Sequence, residues 1–285
     1  MVIGKVDLVM WTKNGGKTLS VVLKQIEQVI PSEFVNNRII VDDMSTDDTK
    51  EMAVSFGWQI VDNEGSGISD GANTALKRVE TEYFISFEQD LFLTKYWWLQ
   101  IPSYLSASHV AAANGIRLVG QKPAGLRKLQ ELEINRHFKP YLCESDTFGK
   151  TLDNTIYKTK IIRDIGGFPS MKPNSGVDVV LANRLRKAGF HWIVDKKVES
   201  LHIRGGLRDE LCHLYWHGSD DVEAAEIIKK EFGYEWPAGR NRLSNLIKSP
   251  IFGIVTAVRN REPNIAYLYP LRSLYYFVGI LAGSR

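Results

Sequence analysis

The sequence predicts an α/β fold in which helices flank a mostly parallel sheet. Apolar strand-like runs alternate with helix-like periodicities four times between residues 6 and 91. Strands separated by helices pair in parallel through right-handed crossovers, so this alternation indicates a parallel sheet. With 285 residues, of which 44% are hydrophobic and 24% charged, the chain is large enough to bury a full core.

The elements of this first half follow from hydrophobic spacing and from turn residues. Residues 6–11 form a nearly continuous apolar run, and residues 19–29 keep helical spacing. Ser45 and Asp48 have the spacing of a capping box, which predicts that the next helix opens there and ends near Gly57. The later elements predicted in this half are strands at residues 38–42, 58–61 and 83–87 and a helix at residues 72–79.

Beyond residue 91 the pattern is less regular and predicts mixed sheet and helices that complete one domain. A short helix is expected around Trp97 and Trp98, and residues 117–150 are polar and predicted to be irregular. Helical spacing returns at residues 177–188, and Gly189 ends that helix. The other segments predicted here are strands at residues 110–113, 192–194 and 198–202 and ordered segments at residues 156–157 and 161–167.

The C-terminal region combines positive charge with apolar and aromatic runs. From residue 240 onward there are seven Lys or Arg residues and one acid, whereas residues 1–239 carry a net charge of −3. A basic and apolar segment of this kind is typical of a protein surface that binds anionic membrane lipids. Residues 265–283 contain Pro270 and Arg272, which favours an interfacial amphipathic anchor over a spanning helix. The alternative is a helical pair that packs on the protein or on a partner subunit; nucleic-acid binding is not expected.

Cysteine content and the N-terminus bear on the cellular compartment. Cys143 and Cys212 provide neither a disulfide framework nor a metal-binding spacing, so we expect them to pack inside a protein of a reducing compartment. The first residues lead directly into a strand, so no signal peptide is expected. We therefore expect a cytoplasmic protein, attached peripherally to the cytoplasmic face of the membrane.

Two acidic stretches follow predicted strands. Residues 42–48 contain four Asp, and residues 88–90 read Glu-Gln-Asp. A parallel sheet opens its ligand crevice at the carboxyl ends of its strands, so both stretches are predicted to face that crevice. Carboxylates there suit hydrogen bonding to a nucleotide and coordination of a hard divalent cation. Glu88 and Asp90 are two residues apart, so on extended backbone their side chains point the same way. A nucleotide-sugar enzyme is the prediction.

Four blocks of sequence occur in a characteristic order. They are residues 9–14 (Val-Met-Trp-Thr-Lys-Asn), residues 41–49 (Val-Asp-Asp-Met-Ser-Thr-Asp-Asp-Thr), residues 88–90, and a series of Gly-Gly-Phe, Val-Asp, Arg-Leu and Gly-Phe between residues 166 and 190. This order resembles glycosyltransferase family 2, whose second block usually reads Val-Asp-Asp-Gly-Ser-Thr-Asp-Gly-Thr. The resemblance extends over residues 6–202 and implies a GT-A fold, which has a Rossmann-like sheet, followed here by a helical amphipathic tail.

The resemblance implies where the donor nucleotide binds. Asp42 or Asp43 would bind the uracil or guanine edge and the ribose, while Thr12 and Asn14 would line the base pocket. The alternative is that the acidic residues only cap a helix and complement its dipole. The other residues that the resemblance assigns to the nucleotide are Ser45, Gly67, Asn73 and Lys77, with Arg204 as a second candidate for the diphosphate.

The resemblance also implies a metal ion and a catalytic base. Glu88, Asp90 and His202 would hold Mg²⁺ or Mn²⁺, which neutralises the departing nucleoside diphosphate. Glu88 stands where the family usually has Asp. Asp178 would take the proton of an acceptor hydroxyl, or would only orient groups if the acceptor were an ionised lipid phosphate. The alternatives are a solvated acidic turn, a packed histidine and a helix-stabilising acid.

These inferences together predict domain boundaries. Residues 1–215 would form the catalytic domain, with a nucleotide-binding half at residues 1–91 and an acceptor and catalytic half at residues 92–215. Residues 216–285 would form a basic and apolar helical region that associates with the membrane through residues 240–285.

The predicted activity is the inverting, metal-dependent transfer of a sugar from a UDP- or GDP-sugar to a lipid-linked or glycan acceptor at a membrane surface. One alternative is a non-catalytic module of the same fold that binds nucleotide sugars or membranes. Another is a sugar-phosphate nucleotidylyltransferase, but that class needs an Arg-containing, glycine-rich loop after the first strand, and residues 11–16 contain no Arg.

Overall fold

A computed structural model describes residues 4–119, 124–137, 142–143, 149–171, 176–203, 206–234 and 242–283. Strands and helices alternate through the first part of the chain as predicted. These elements are β1 (Val6–Thr12), α1 (Leu19–Val29), β2 (Val35–Asp42), α2 (Thr49–Ser55), β3 (Gln59–Asp62), α3 (Gly67–Arg78) and β4 (Tyr83–Phe87).

The second part contains more regular structure than its sequence predicts. Residues 117–150 were expected to be irregular, but β6 reaches Val119 and a helix, α5, follows; α5 has few apolar residues, so its periodicity is hard to detect. The two strands predicted at residues 192–194 and 198–202 form one continuous strand, β9. The elements are β5 (Leu91–Leu93), α4 (Trp97–Gln100), β6 (Val110–Val119), α5 (Ala124–His137), β7 (Leu142–Cys143), β8 (Thr155–Lys158), α6 (Thr159–Asp164), α7 (Val177–Lys187), β9 (His191–His202), α8 (Gly206–Phe232), α9 (Arg242–Asn260) and α10 (Ile265–Gly283).

The strands form one sheet in the order β3-β2-β1-β4-β8-β6-β9-β5, and β7 pairs with β9. The pairs β1–β2, β1–β4 and β2–β3 are parallel, whereas β4–β8, β6–β8, β5–β9 and β7–β9 are antiparallel. The α/β fold with an open sheet flanked by helices is therefore confirmed, and its parallel pairings lie among the first four strands.

The register of the parallel strands brings three loops to one edge. Thr12 at the end of β1 pairs with Asp42 at the end of β2, and Met10 pairs with Phe87 at the end of β4. The segments that follow these three strands therefore leave the sheet side by side. This is the edge at which open α/β sheets bind ligands.

At the opposite end of β1, the buried carboxylate of Asp7 forms hydrogen bonds to neighbouring segments. Asp7 accepts hydrogen bonds from the Nδ2 of Asn36 at 2.9 Å and from the backbone N–H groups of Asn37, Glu80 and Thr81 at 3.0, 2.6 and 3.0 Å. Four donors satisfy this buried acid, as a stable interior requires. Asp7 thus has a structural role that ties β1 to the start of β2 and to the segment before β4.

The capping box predicted at Ser45 and Asp48 is wrong. The helix begins at Thr49, and Asp48 makes no side-chain cap hydrogen bond. The Oδ1 of Asp47 instead accepts a hydrogen bond from the Thr49 N–H at 3.2 Å. Ser45 lies too far before the helix to cap it, and its hydroxyl accepts a hydrogen bond from the Asn14 N–H at 2.8 Å.

The chain divides into two compact units. The first comprises Met1–Leu118, Phe138–Lys172 and Val177–Ile203, and the second comprises Val119–His137, Pro173–Gly176 and Arg204–Arg285. The domain boundary predicted at residue 215 falls inside α8, which belongs wholly to the second unit.

The second unit has a small core of its own. Residues from α5, α9 and α10 build it: Leu126, Leu129, Ala257, Ile265 and Leu268. Cys212 on α8 is exposed, so the expectation that it packs inside is wrong, while the side chain of Cys143 lies outside the described residues.

Candidate active site

Hydrogen bonds join the loop after β1 to the loop after β2. The Asn14 N–H donates to the Oγ of Ser45, and the Oδ1 of Asn14 accepts from the Thr46 N–H, both at 2.8 Å. The Gly15 N–H donates to the Oγ1 of Thr49, also at 2.8 Å. The side chains of Asn14 and Ser45, both predicted to bind the nucleotide, thus hold the two loops in place.

Met44 adopts a strained backbone conformation at the tip of the second loop. Its φ is 57°, in the left-handed region, and its side chain is 70% exposed. This conformation costs a residue with a Cβ about 1–2 kcal/mol, whereas glycine adopts it readily. The family motif has glycine at this position.

Replacing Met44 with glycine should raise the free energy of unfolding by about 0.5–1 kcal/mol, because the relief of backbone strain exceeds the greater conformational entropy of unfolded glycine. Urea unfolding monitored by tryptophan fluorescence measures this difference. Met44→Ala keeps the Cβ and the strain, so it should match the parent protein. Loss of stability in Met44→Gly would contradict the assignment of strain.

Asp42 is enclosed by its own protein neighbours. None of its side chain is exposed, and its Oδ2 accepts a hydrogen bond from the Ser45 N–H at 3.0 Å. The same oxygen lies 3.2 Å from the Nζ of Lys50, and this hydrogen bond and charge raise the pKa of Lys50. Asp42 therefore shapes the loop after β2.

Asp43 is the more accessible acid of the pair. Its side chain is 12% exposed, and its Oδ2 lies 3.3 Å from the Nζ of Lys13. Its Oδ1 accepts from the Nδ2 of Asn63 at 3.3 Å, and its Oδ2 accepts from the Gly67 N–H at 3.4 Å. Between Asp42 and Asp43, the geometry favours Asp43 as the group that can meet a ligand.

The three residues of α3 that were predicted to bind the donor nucleotide differ in their surroundings. Gly67 opens the helix with a φ of 74° and lies beside Asp43. The amide of Asn73 forms two hydrogen bonds with the backbone of Phe168, at 2.9 and 3.0 Å, so it supports the Gly-Gly-Phe turn. Lys77 pairs with Glu64, and this hydrogen bond lowers the pKa of Glu64.

Arg204, the second candidate for the diphosphate, lies outside the described residues.

Glu88, Asp90 and His202 come together although His202 is remote in sequence. Leu91 of β5 pairs with His202 of β9, and the Ile203 N–H donates to the Asp90 carbonyl at 2.8 Å. This register places the Nε2 of His202 3.0 Å from the Oδ1 of Asp90 and 3.3 Å from the Oε2 of Glu88. One ligand atom from each of the three lies within 4.8 Å of the other two.

This donor set fits a divalent cation. Two carboxylate oxygens and one imidazole nitrogen can share one ion at the observed separations. Mg²⁺ and Mn²⁺ prefer oxygen ligands and are usually held by one or two carboxylates, and imidazole is an accepted partner for a transition-metal ion.

A largely buried arginine, with 23% of its side chain exposed, lies beside this cluster. The Nη1 of Arg117 is 2.9 Å from the Oδ2 of Asp153 and 3.6 Å from the Oε2 of Glu88. Burial would lower the pKa of Arg117, but the charges of Asp153 and Glu88 outweigh it, and the net pKa is raised. Burial raises the pKa of Asp153 against the opposing charge of Arg117. Arg117 therefore stays charged and holds Glu88 in position.

Asp178 lies within electrostatic reach of Arg117. It is the second residue of α7 and is partly exposed, and its Oδ1 accepts from the Val179 N–H at 2.8 Å. Its charge contributes to the raised pKa of Arg117 and to that of buried Tyr157. A partly exposed carboxylate of this kind can accept a proton from a neighbouring hydroxyl group.

The sequence agrees with a family model. Residues 7–166, more than half of the chain, match the model of glycosyl transferase family 2. The chain belongs to glycosyl transferase family 2. It is a glycosyltransferase with the GT-A fold that the ordered motifs predicted.

Three solved structures share this fold. A mannosyltransferase from Pyrobaculum calidifontis, in complex with GDP-Man and Mn²⁺, superimposes with a TM-score of 0.72 at 14% identity, covering 99% of this chain and 88% of that chain. S. aureus TarS in complex with UDP-GlcNAc superimposes with a TM-score of 0.56 at 16% identity, covering 98% of this chain and 91% of that chain. Glucosyl-3-phosphoglycerate synthase from Mycobacterium tuberculosis, with Mn²⁺ and UDP, superimposes with a TM-score of 0.52 at 14% identity, covering 78% of this chain and 80% of that chain.

Among curated protein sequences, none matches this glycosyltransferase.

Sequence reasoning missed two side chains that shape the site of this glycosyltransferase. One is Arg117, which is the one charged residue of strand β6 and was a signal that could have been followed. The other is Gln89: its Oε1 accepts hydrogen bonds from the Oγ1 of Thr12 and, at 3.2 Å, from the Lys13 N–H. Gln89 thus ties the segment of Glu88 and Asp90 to the end of β1.

Proposed function

We propose that this glycosyltransferase moves a sugar from a UDP- or GDP-sugar to a lipid-linked or glycan acceptor, with inversion at the anomeric carbon and with Mg²⁺ or Mn²⁺ as cofactor. The observation that carries the proposal is the convergence of Asp43 with the cluster of Glu88, Asp90 and His202 at one edge of the sheet. The solved structures of similar fold, which contain GDP-Man, UDP-GlcNAc or UDP, support it.

Asp43 is proposed to bind the nucleoside of the donor. Its carboxylate accepts hydrogen bonds, so it suits a base N–H or a ribose O–H. Thr12 and Gly67 flank it from β1 and α3, while Asn14 and Ser45 keep the loop geometry through their mutual hydrogen bond. Asn73 and Lys77 then act on the donor through the segments that they hold, the Phe168 turn and the Glu64 loop.

Glu88, Asp90 and His202 are proposed to hold the cation. A bound ion would supply positive charge that offsets the negative charge developing on the leaving group. Arg117 fixes Glu88 from behind, and Gln89 fixes the backbone between the two carboxylates. These contacts limit the movement of the ligands, which is what a preorganised metal site requires.

Asp178 is proposed to be the general base. As the acceptor oxygen bonds to the anomeric carbon, its proton passes to the Asp178 carboxylate, and the bond from that carbon to the diphosphate oxygen breaks. Direct displacement of this kind inverts the configuration. An acceptor that is already ionised, such as a lipid phosphate, needs no base, and Asp178 then orients the reacting groups.

The acceptor is proposed to lie at a membrane surface, to which residues 240–285 attach the enzyme from the cytoplasmic side. Many large apolar side chains of α9 and α10 are exposed, which supports contact with lipid. By length and composition, α10 could cross a membrane, and in the described part of the chain it is the one such helix.

Donor binding tests the proposal. We expect UDP or GDP with Mn²⁺ to raise the melting temperature, since a ligand at 100 times its Kd stabilises the native state by about 2.7 kcal/mol. Asp43→Ala should abolish the shift, while Asp62→Ala, an exposed acid at the end of β3, should keep it. Release of the nucleoside diphosphate from the matching donor sugar should require Mn²⁺.

Binding that persists in Asp43→Ala would contradict the assignment of the nucleoside site. Donor binding without turnover on any acceptor would show a binding module in place of an enzyme.

A further inference from the structure

The outward face of α9 is a continuous aliphatic stripe. Five residues spaced three or four apart form it, and they are 57% to 74% exposed. With 100° of rotation per residue they fall within an arc of about 80°, on one side of the helix. The members of this stripe are Leu243, Ile247, Ile251, Ile254 and Val258.

The inward face of α9 is built from small residues. Ser249 and Ala257 are buried, and a Cβ on Gly253 would lie 2.8 Å from the carbonyl oxygen of Ala266 on α10. The helix therefore reverses the usual arrangement of a soluble protein, because its largest aliphatic side chains point outward. A face of this kind needs an apolar environment from outside the chain.

The charges of α9 indicate what that environment is. Lys248 and Arg259 are exposed and flank the stripe on one side, and Arg261 follows the helix. Residues 242–261 contain no Asp or Glu. An aliphatic face bordered by cations is complementary to an anionic lipid surface. A second copy of the chain fits less well, since two α9 helices in contact would bring cations together with no acid on either helix.

The helix α10 is held against α8 by polar and close backbone contacts. The Nε of Arg272 lies 3.2 Å from the Oε1 of Glu210, and the Tyr276 hydroxyl donates to the Oδ2 of Asp221. A Cβ on Gly279 would lie 2.0 Å from the Tyr215 carbonyl oxygen, so the two backbones touch. Crossing a bilayer would require α10 to carry Arg272 into hydrocarbon or to leave α8.

We propose that α9 lies in the plane of an anionic membrane surface with its aliphatic stripe inserted, while α10 remains packed on α8 and does not cross the bilayer. The inference deepens the membrane attachment of the proposed function and assigns it to one helix. It predicts a protein that leaves the membrane without detergent.

Vesicle flotation of the full chain tests the inference. We expect binding to vesicles of phosphatidylcholine with about 30% phosphatidylglycerol, weak binding to phosphatidylcholine alone, and release by alkaline carbonate. The double variant Ile247→Ser, Ile251→Ser should lower the partition coefficient at least about tenfold. Lys248→Gln with Arg259→Gln should lower it on the order of tenfold for anionic vesicles only.

The matched control is Val54→Ser with Leu99→Ser, two apolar residues of the first unit that are 61% and 74% exposed. This double variant should bind vesicles as the parent protein does.

Unchanged binding of the α9 variants, retention after carbonate, or a dimer that the Ile variants convert to monomer would each overturn the inference. Metal-dependent donor hydrolysis in solution, measured on the same variants, should be unchanged. Lost vesicle binding with retained hydrolysis therefore separates this inference from the proposed catalysis.

Discussion

Replacing Asp90 with asparagine is expected to lower kcat/KM by at least about 100-fold, because charge stabilisation by a bound divalent ion is worth several kcal/mol. Asp90 joins the cluster through its Oδ1, 3.0 Å from the Nε2 of His202. Asparagine keeps the shape of the side chain but removes the negative charge that attracts the cation. The affinity for Mn²⁺, measured by titration calorimetry, should fall in parallel.

The control for Asp90→Asn is Asp62→Asn, which changes an exposed acid at the end of another parallel strand and should leave activity and Mn²⁺ affinity unchanged. Thermal unfolding establishes that both variants are folded. Full turnover in Asp90→Asn at low Mn²⁺ concentration would exclude Asp90 as a metal ligand.

Replacing Asp178 with asparagine is expected to lower kcat with a hydroxyl acceptor by roughly 10²–10⁴-fold, the contribution of a general base. Donor affinity and Mn²⁺ affinity should not change, because the proposed role concerns only the acceptor proton. If Asp178 merely stabilised the first turn of α7, the variant would lose a few tenths of a kcal/mol of stability and almost no activity. The measurement is initial rates at saturating donor.

Asp164→Asn provides the comparison for Asp178, since Asp164 is an exposed acid that pairs with Lys160 on α6. Its activity should equal that of the parent protein. If Asp178→Asn lost donor binding and turnover equally, the result would show that Asp178 binds the donor and does not act on the acceptor. A small loss with an ionised acceptor, and a large one with a hydroxyl acceptor, would identify the role as proton transfer.

The local sequence pattern predicted much of the site, because each acidic motif directly follows a strand that its apolar residues reveal. The mostly apolar character of residues 6–11 and 83–87 located β1 and β4, and the acids of residues 42–43 stand at the end of β2. Parallel pairing then requires these strand ends to share one edge. The conclusion that the acidic stretches face a common crevice needed no knowledge of side-chain contacts.

Roles assigned to single side chains were less predictable. The sequence motif treats Asp42 and Asp43 alike, but Lys50 and the Ser45 N–H enclose Asp42, whereas 12% of the Asp43 side chain stays exposed. Asn73 was assigned to the donor, yet its amide is paired with the backbone of Phe168, 95 residues later.

The sequence by itself determined the alternation of strands and helices, the positions of the acidic loops and the amphipathic character of the tail, because each depends on spacing within a few residues. Tertiary structure decided which groups meet. His202 reaches Asp90 across 112 residues through the register of β5 and β9, and Arg117 reaches Glu88 from β6. A one-residue slip in a strand would turn each of these side chains to the other face, so their meeting depends on the packing of the whole sheet.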